Sequence, residues 1–192
     1  MRGLISIIAA ACALCAPAKA ATTVYASGVY QTSGLVFGSG NAIGATDSSS
    51  ATLFPFFGVP SSITLIMSQA ITGASASFVG QRLTAGSNVE VAIGEVVGGT
   101  TIFSTFTSLP GGAGPTAFAV NLGAACSAIS ATGCSLLRIR VSGGFGSGFN
   151  LDGVSGVASA PEPSIWGLMI LGFGVTTWRL RNARSAVAKT LA

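Results

Sequence analysis

Between Ala21 and Ala160 the 192-residue chain carries only seven charged side chains: Asp47, Arg82, Glu90, Glu95, Arg138, Arg140 and Asp152. Any acid–base chemistry must draw on that short roster, because the sequence contains no histidine. Ser-His-Asp triads, Cys-His dyads and His-ligated zinc are therefore excluded. Glu90 and Glu95 are the only close acidic pair. On one continuous strand their odd separation sends them to opposite faces, whereas a glycosidase needs two carboxyls on one substrate. Gly112-Ala113-Gly114-Pro115-Thr116-Ala117 matches a degenerate GxGxxA, but no helical pattern follows it and no acid lies about twenty residues on, so a turn is expected and not a dinucleotide loop. The expectation is a protein that is not an enzyme and has no resident cofactor.

Three groups remain that can bind or brace. Asp47, Asn150 and Asp152 offer oxygen ligands for calcium if the segments that carry them meet; the alternative is that Asp47 closes an Asx turn and Asp152-Gly153 shapes a turn. Phe54, Phe56 and Phe57, around Pro55, form either a sugar-stacking platform or ordinary core and loop packing. Cys126 and Cys134 are the only cysteine pair beyond the N-terminal segment. In an exported domain they are expected to form a disulfide closing a Gly/Ala/Ser loop, worth at most about 2–3 kcal/mol; two unpaired buried thiols are the other possibility.

The elements that must position these residues read as strands. From Ala21 to Ala160 the chain is rich in Gly, Ser, Thr, Ala, Val and Phe. Short apolar or alternating runs recur between turn residues: Leu35–Phe37, Ser62–Met67, Ala76–Val79, Val89–Val97, Thr101–Thr107, Ala117–Leu122 and Leu136–Val141. This spacing predicts an all-β single domain, a sandwich or jelly roll, over residues 21–158. Val89, Val91 and Ile93 point one way and Glu90 the other, and Arg138 and Arg140 share an outer face. Gly111 to Pro115 reads as a loop.

The two ends have a different composition. Met1-Arg2, the apolar run Leu4–Ala16 and the small-x-small Ala18-Lys19-Ala20 form a signal peptide over residues 1–20, with cleavage before Ala21. At the other end Ile165–Trp178 is an uncharged run of fourteen residues. As a helix it reaches about 21 Å, short of a bilayer core of about 30 Å. It is bounded by Pro161 and Pro163 on one side and by Arg179, Arg181 and Arg184 on the other, so the basic end is expected to stay cytoplasmic. The formal charge of +4 belongs to these ends. The domain holds three arginines against four acids, a net of −1, and a nucleic-acid partner loses its support.

Pro161-Glu162-Pro163, Trp166, the apolar run and the terminal arginines Arg179, Arg181 and Arg184 resemble the PEP-CTERM sorting signal of Gram-negative bacteria, in its PEPxxW form. The resemblance covers residues 159–192, with the triplet at 161–163, a short helix at 165–178 and the basic end at 179–184. It implies export through the Sec translocon, removal of the leader by signal peptidase, and transient retention in the inner membrane with the C-terminus cytoplasmic. Recognition and cleavage by exosortase would follow, with delivery to the cell surface or exopolysaccharide matrix. A permanent membrane anchor is the alternative. Within the domain, Asn41–Asp47 and Gly148–Val154 resemble the opening and closing segments of galactose-binding-like β-sandwich domains, which implies either a structural or adhesive role or a carbohydrate-binding module.

Overall fold

The computed structural model describes residues 21–72, 75–110 and 114–159. The signal peptide with Ala18 and Ala20, the sorting triplet, Trp166 and the C-terminal arginines lie outside the described residues.

The chain alternates short β-favouring runs with glycine-rich turns, and among the described residues eleven strands result: β1 Ala21–Ser33, β2 Leu35–Phe37, β3 Ala51–Phe54, β4 Ser61–Ile71, β5 Ser75–Arg82, β6 Asn88–Val97, β7 Thr100–Phe103, β8 Thr107–Ser108, β9 Gly114–Asn121, β10 Cys134–Ser142 and β11 Phe149–Ser159. A 3₁₀ turn spans Ser39–Ala42, and a short helix, α1, spans Gly123–Ser127.

The strands pair antiparallel in two layers. In the first, β11 is central: β5 lies on one side with β9 beyond it, and on the other side β3 and the start of β1 follow each other along β11, with β2 outside β3. In the second, the order runs from the end of β1 through β4, β10 and β6 to β7 and β8. β1 belongs to both layers. Ala21–Tyr25 pair with β11, and after a register shift between Ala26 and Gly28 the strand continues along β4. Bulges of this kind let one strand turn the corner of a sandwich.

Period-two alternation explains the core. In β10, Leu137, Ile139 and Val141 are fully buried while Arg138 and Arg140 are half-exposed on the other face. These side chains join Ile63, Leu65, Val89, Val91 and Ile93 of the second sheet and Leu53, Phe78, Phe149 and Leu151 of the first in one apolar cluster. Each large side chain so buried contributes about 1.5–3 kcal/mol. The all-β sandwich expected from the sequence is the fold observed.

Three local expectations are corrected. Gly114 and Pro115 are not loop residues but open β9, opposite Arg82 and Gln81; a proline is tolerated there because it is at the start of an edge strand. Thr101–Thr107 is not one strand, since β7 stops at Phe103 and β8 starts at Thr107. Asp152-Gly153 forms no turn. Both lie inside β11, where the pairing to β5 slips between Leu151 and Gly153 and leaves Asp152 as the extra residue of a bulge.

Candidate functional site

At one end of the sandwich, two tight turns each raise a phenylalanine into solvent. The first joins β3 to β4. Phe56 donates its N–H to the Val59 carbonyl at 3.1 Å and Val59 returns the bond at 2.9 Å, with Phe57 and Gly58 between them at φ 46° and 78°. Two positive φ values in a two-residue hairpin define a type I′ turn, whose first position suits Asn, Asp or Gly. Phe57 stands there instead, 85% exposed. A bulky residue in the left-handed region costs about 1–2 kcal/mol, and exposing its ring adds no stabilising burial.

The second turn joins β10 to β11. Ser147 donates its N–H to the Gly144 carbonyl at 3.1 Å, Gly146 takes φ 79°, and Phe145 at the tip is fully exposed. Its base is anchored. Gly148 N–H donates to the buried Ser87 hydroxyl at 2.9 Å, and Leu83 N–H to the Gly148 carbonyl at 3.0 Å.

Between the two turns lies an open groove of about 480 Å³, lined by Leu35, Phe54, Phe56, Phe57, Phe145 and Ser147 among others. The Phe56 and Phe57 rings meet edge to face at 4.3 Å between centroids, and Phe37 and Phe54 do so at 6.1 Å. No charged side chain lines it. Its base is fixed by Ser61, which is buried: the hydroxyl accepts the Leu35 N–H at 3.0 Å and donates to the Phe54 carbonyl. Of the three phenylalanines singled out from the sequence, Phe56 and Phe57 are exposed and Phe54 is half-buried in the wall. Phe145 was missed. Its signal was a lone aromatic within Gly143-Gly144-Phe145-Gly146, a run too irregular for strand periodicity to place.

The segments carrying Asp47, Asn150 and Asp152 do meet. Asp47 N–H donates to Asp152 Oδ1 at 3.1 Å, and Thr52 Oγ1 donates to Asn150 Oδ1 at 2.9 Å. Asp47 Oδ1 also accepts the Ser49 N–H at 2.8 Å, which is an Asx turn. Each aspartate thus has an oxygen committed to a backbone N–H. Their side chains alone supply fewer than the roughly six to eight oxygens that calcium takes, the rest of which would have to come from backbone carbonyls and water, and no group of three or more His, Cys, Asp or Glu converges among the described residues. Cys126 and Cys134 form a disulfide, with Cα atoms 5.8 Å apart, that ties α1 to the start of β10.

The outer face of the second sheet carries three of the seven charged side chains, Glu90, Arg138 and Arg140. Arg140 donates Nε and Nη2 to Glu90 Oε2 at 2.9 and 2.6 Å, and its guanidinium lies 3.9 Å from the Phe106 ring centroid. Arg138 lies 3.9 Å from the Phe103 centroid, donates Nε to the buried Thr64 hydroxyl at 2.9 Å and Nη2 to Gln31 Oε1 at 3.4 Å. Phe103 can approach because Gly94 lies beneath it: a Cβ there would sit 2.5 Å from the ring. Partial burial pushes the Arg138 pKa down from its ordinary value, although a guanidinium stays cationic. Glu95 is turned away from Glu90 and accepts the Ser135 N–H, so the two carboxylates serve separate partners.

Fold and site together define a β-sandwich with an aromatic-tipped groove at one end and an arginine-bearing outer sheet. No protein-family model and no curated protein matches the chain. Among solved structures, the chain is similar in fold to one in the structure of reduced XRCC1 bound to the DNA polymerase beta catalytic domain. Identity is 16%, the TM-score is 0.52, and the match covers 73% of this chain and 100% of that one. A family 29 carbohydrate-binding module matches at 11% identity and TM-score 0.44, over 73% of this chain and 93% of its own. A family two carbohydrate esterase from Cellvibrio japonicus matches at 16% identity and TM-score 0.38, over 74% of this chain. The match spans only 36% of the esterase chain.

Proposed function

We propose that the protein is an exported polysaccharide-binding module that works without catalysis, delivered to the surface matrix by its C-terminal sorting signal. The observation that carries the binding half is Phe57. An exposed aromatic ring held in a left-handed backbone position carries strain that no burial of the ring offsets, and such a residue points to a ligand. A pyranose ring fits the groove that Phe57 and Phe145 flank. Its C–H faces lie on aromatic rings while its hydroxyls remain at the edge, and the groove has aromatic walls without charge. A catalytic role has little to draw on, since the sequence has no histidine and Glu90 and Glu95 serve separate partners.

Delivery rests on the sequence of the tail, from Pro161 to Arg184, and not on the domain. Exosortase, the Sec translocon and signal peptidase are the partners it implies. Retardation of the exported protein in gels containing exopolysaccharide from the producing strain tests the binding. Slowed migration relative to gels without polysaccharide is expected, and unchanged migration would end the proposal. The intact mass of protein recovered from the surface tests delivery: a species from Ala21 to near Pro161 is expected, whereas one retaining Trp166 and the arginines in membranes would make the tail an anchor.

A further inference from the structure

Resting on that reading, the structure also indicates which class of polysaccharide is bound. Arg138 and Arg140 stand two positions apart on β10, on one face and roughly 6–7 Å from each other. Each guanidinium lies against an aromatic ring at 3.9 Å, so both are held in place before any ligand arrives. Stacking occupies the flat face of a guanidinium and leaves its in-plane N–H groups available.

The donors divide unevenly. Arg140 spends Nε and Nη2 on Glu90. Arg138 spends Nε and Nη2 on neutral acceptors, Thr64 and Gln31, and has no carboxylate partner among the described residues. Nη1 of both side chains has no acceptor there. The pair with Glu90 leaves a net single positive charge on this part of the face, in a domain that is otherwise slightly acidic. A preorganised, uncompensated guanidinium with free donors is suited to a carboxylate, which accepts such N–H groups in its own plane.

Topology connects this charge to the groove. Arg140 is paired with Ser62 on one side and Glu90 on the other, in the last rows of the sheet. β4 begins at Ser61, just after the Phe57 turn, and β10 ends at Ser142, just before the Phe145 turn. Both aromatic turns therefore leave the sheet at the end nearest Arg140, and a chain lying across the tips reaches the arginines by continuing along β10.

We propose that this outer face binds the carboxylates of an acidic polysaccharide, with Arg138 as the principal contact, while the phenylalanines bind its ring faces. The test is titration of the exported protein with polygalacturonate and with the same polymer after reduction of its carboxyl groups. At low salt the acidic form should bind about tenfold more tightly, and the preference should shrink as salt rises. Arg138→Gln should abolish the preference and lower the unfolding midpoint only modestly, since the Thr64 hydroxyl loses its donor and Phe103 its stacked guanidinium but no carboxylate is orphaned. If that variant does not fold, Phe103→Leu, which removes the ring under the guanidinium and keeps the charge, should weaken the preference instead. Equal binding of the two polymers, or a preference that survives Arg138→Gln, would overturn the inference while leaving binding through the groove intact, provided native exopolysaccharide still retards the protein. Absence of binding to all three polymers would remove the underlying function as well.

Discussion

Phe57 is the residue at which fold stability and the proposed binding role pull apart. Its turn needs φ above zero at two successive positions, and asparagine adopts that conformation with little strain. Phe57→Asn is therefore expected to raise stability by about 1 kcal/mol in a denaturant titration and to weaken polysaccharide binding in the same preparation. A stabilised variant with undiminished binding would show that the ring is incidental. The sequence allowed Phe54, Phe56 and Phe57 to be singled out, but not sorted into wall and tip, because that depends on which of them enters the turn. Phe145 was illegible for a related reason: its position is set by Ser87 and Gly148, which come from distant parts of the chain. Arg138 and Arg140, by contrast, were placed on their face by alternation alone. What could not be read was the pair of aromatic rings beneath them, since Phe103 and Phe106 reach β10 only through the folded register.

At the scale of elements, strands with strict alternation were legible and those that break it were not. β10 from Leu137 to Ser142 and β6 from Asn88 to Val91 follow a period of two. β1 does not reveal itself, since Ala21–Ser33 changes sheets midway and its burial is confined to Val24 and Ala26, with Gly28 and Val29 half-buried. The bulge at Asp152 is likewise a property of pairing and not of sequence, so Asp152-Gly153 looked like a turn. The loop from α1 to β10 offers a direct check on energetics. Cys126 and Cys134 are eight residues apart, and closing so short a loop removes little freedom from the unfolded chain. Replacing both by alanine should lower unfolding stability by about 2–3 kcal/mol, as read from the shift in denaturation midpoint, and leave polysaccharide binding unchanged because the loop touches neither groove nor arginines. A loss of binding in a folded double variant would mean that α1 positions the site.

At the scale of the whole molecule, the charge distribution separates the two ends of the chain from the sandwich. The basic residues at the two ends account for the formal +4, while the sandwich between them is slightly acidic and nearly free of lysine and glutamate. A polysaccharide bound as proposed would be recognised by few charges and by aromatic surface, which the two turns and β10 supply. The most direct test is the dissociation constant for exopolysaccharide of the Phe57→Ala/Phe145→Ala double variant beside that of the unaltered protein. At least about tenfold weaker binding, equivalent to some 1.4 kcal/mol, in a variant with an unaltered far-ultraviolet circular dichroism spectrum is the predicted result. Equal affinities would contradict it, and the aromatic groove would then have no part in holding the polysaccharide.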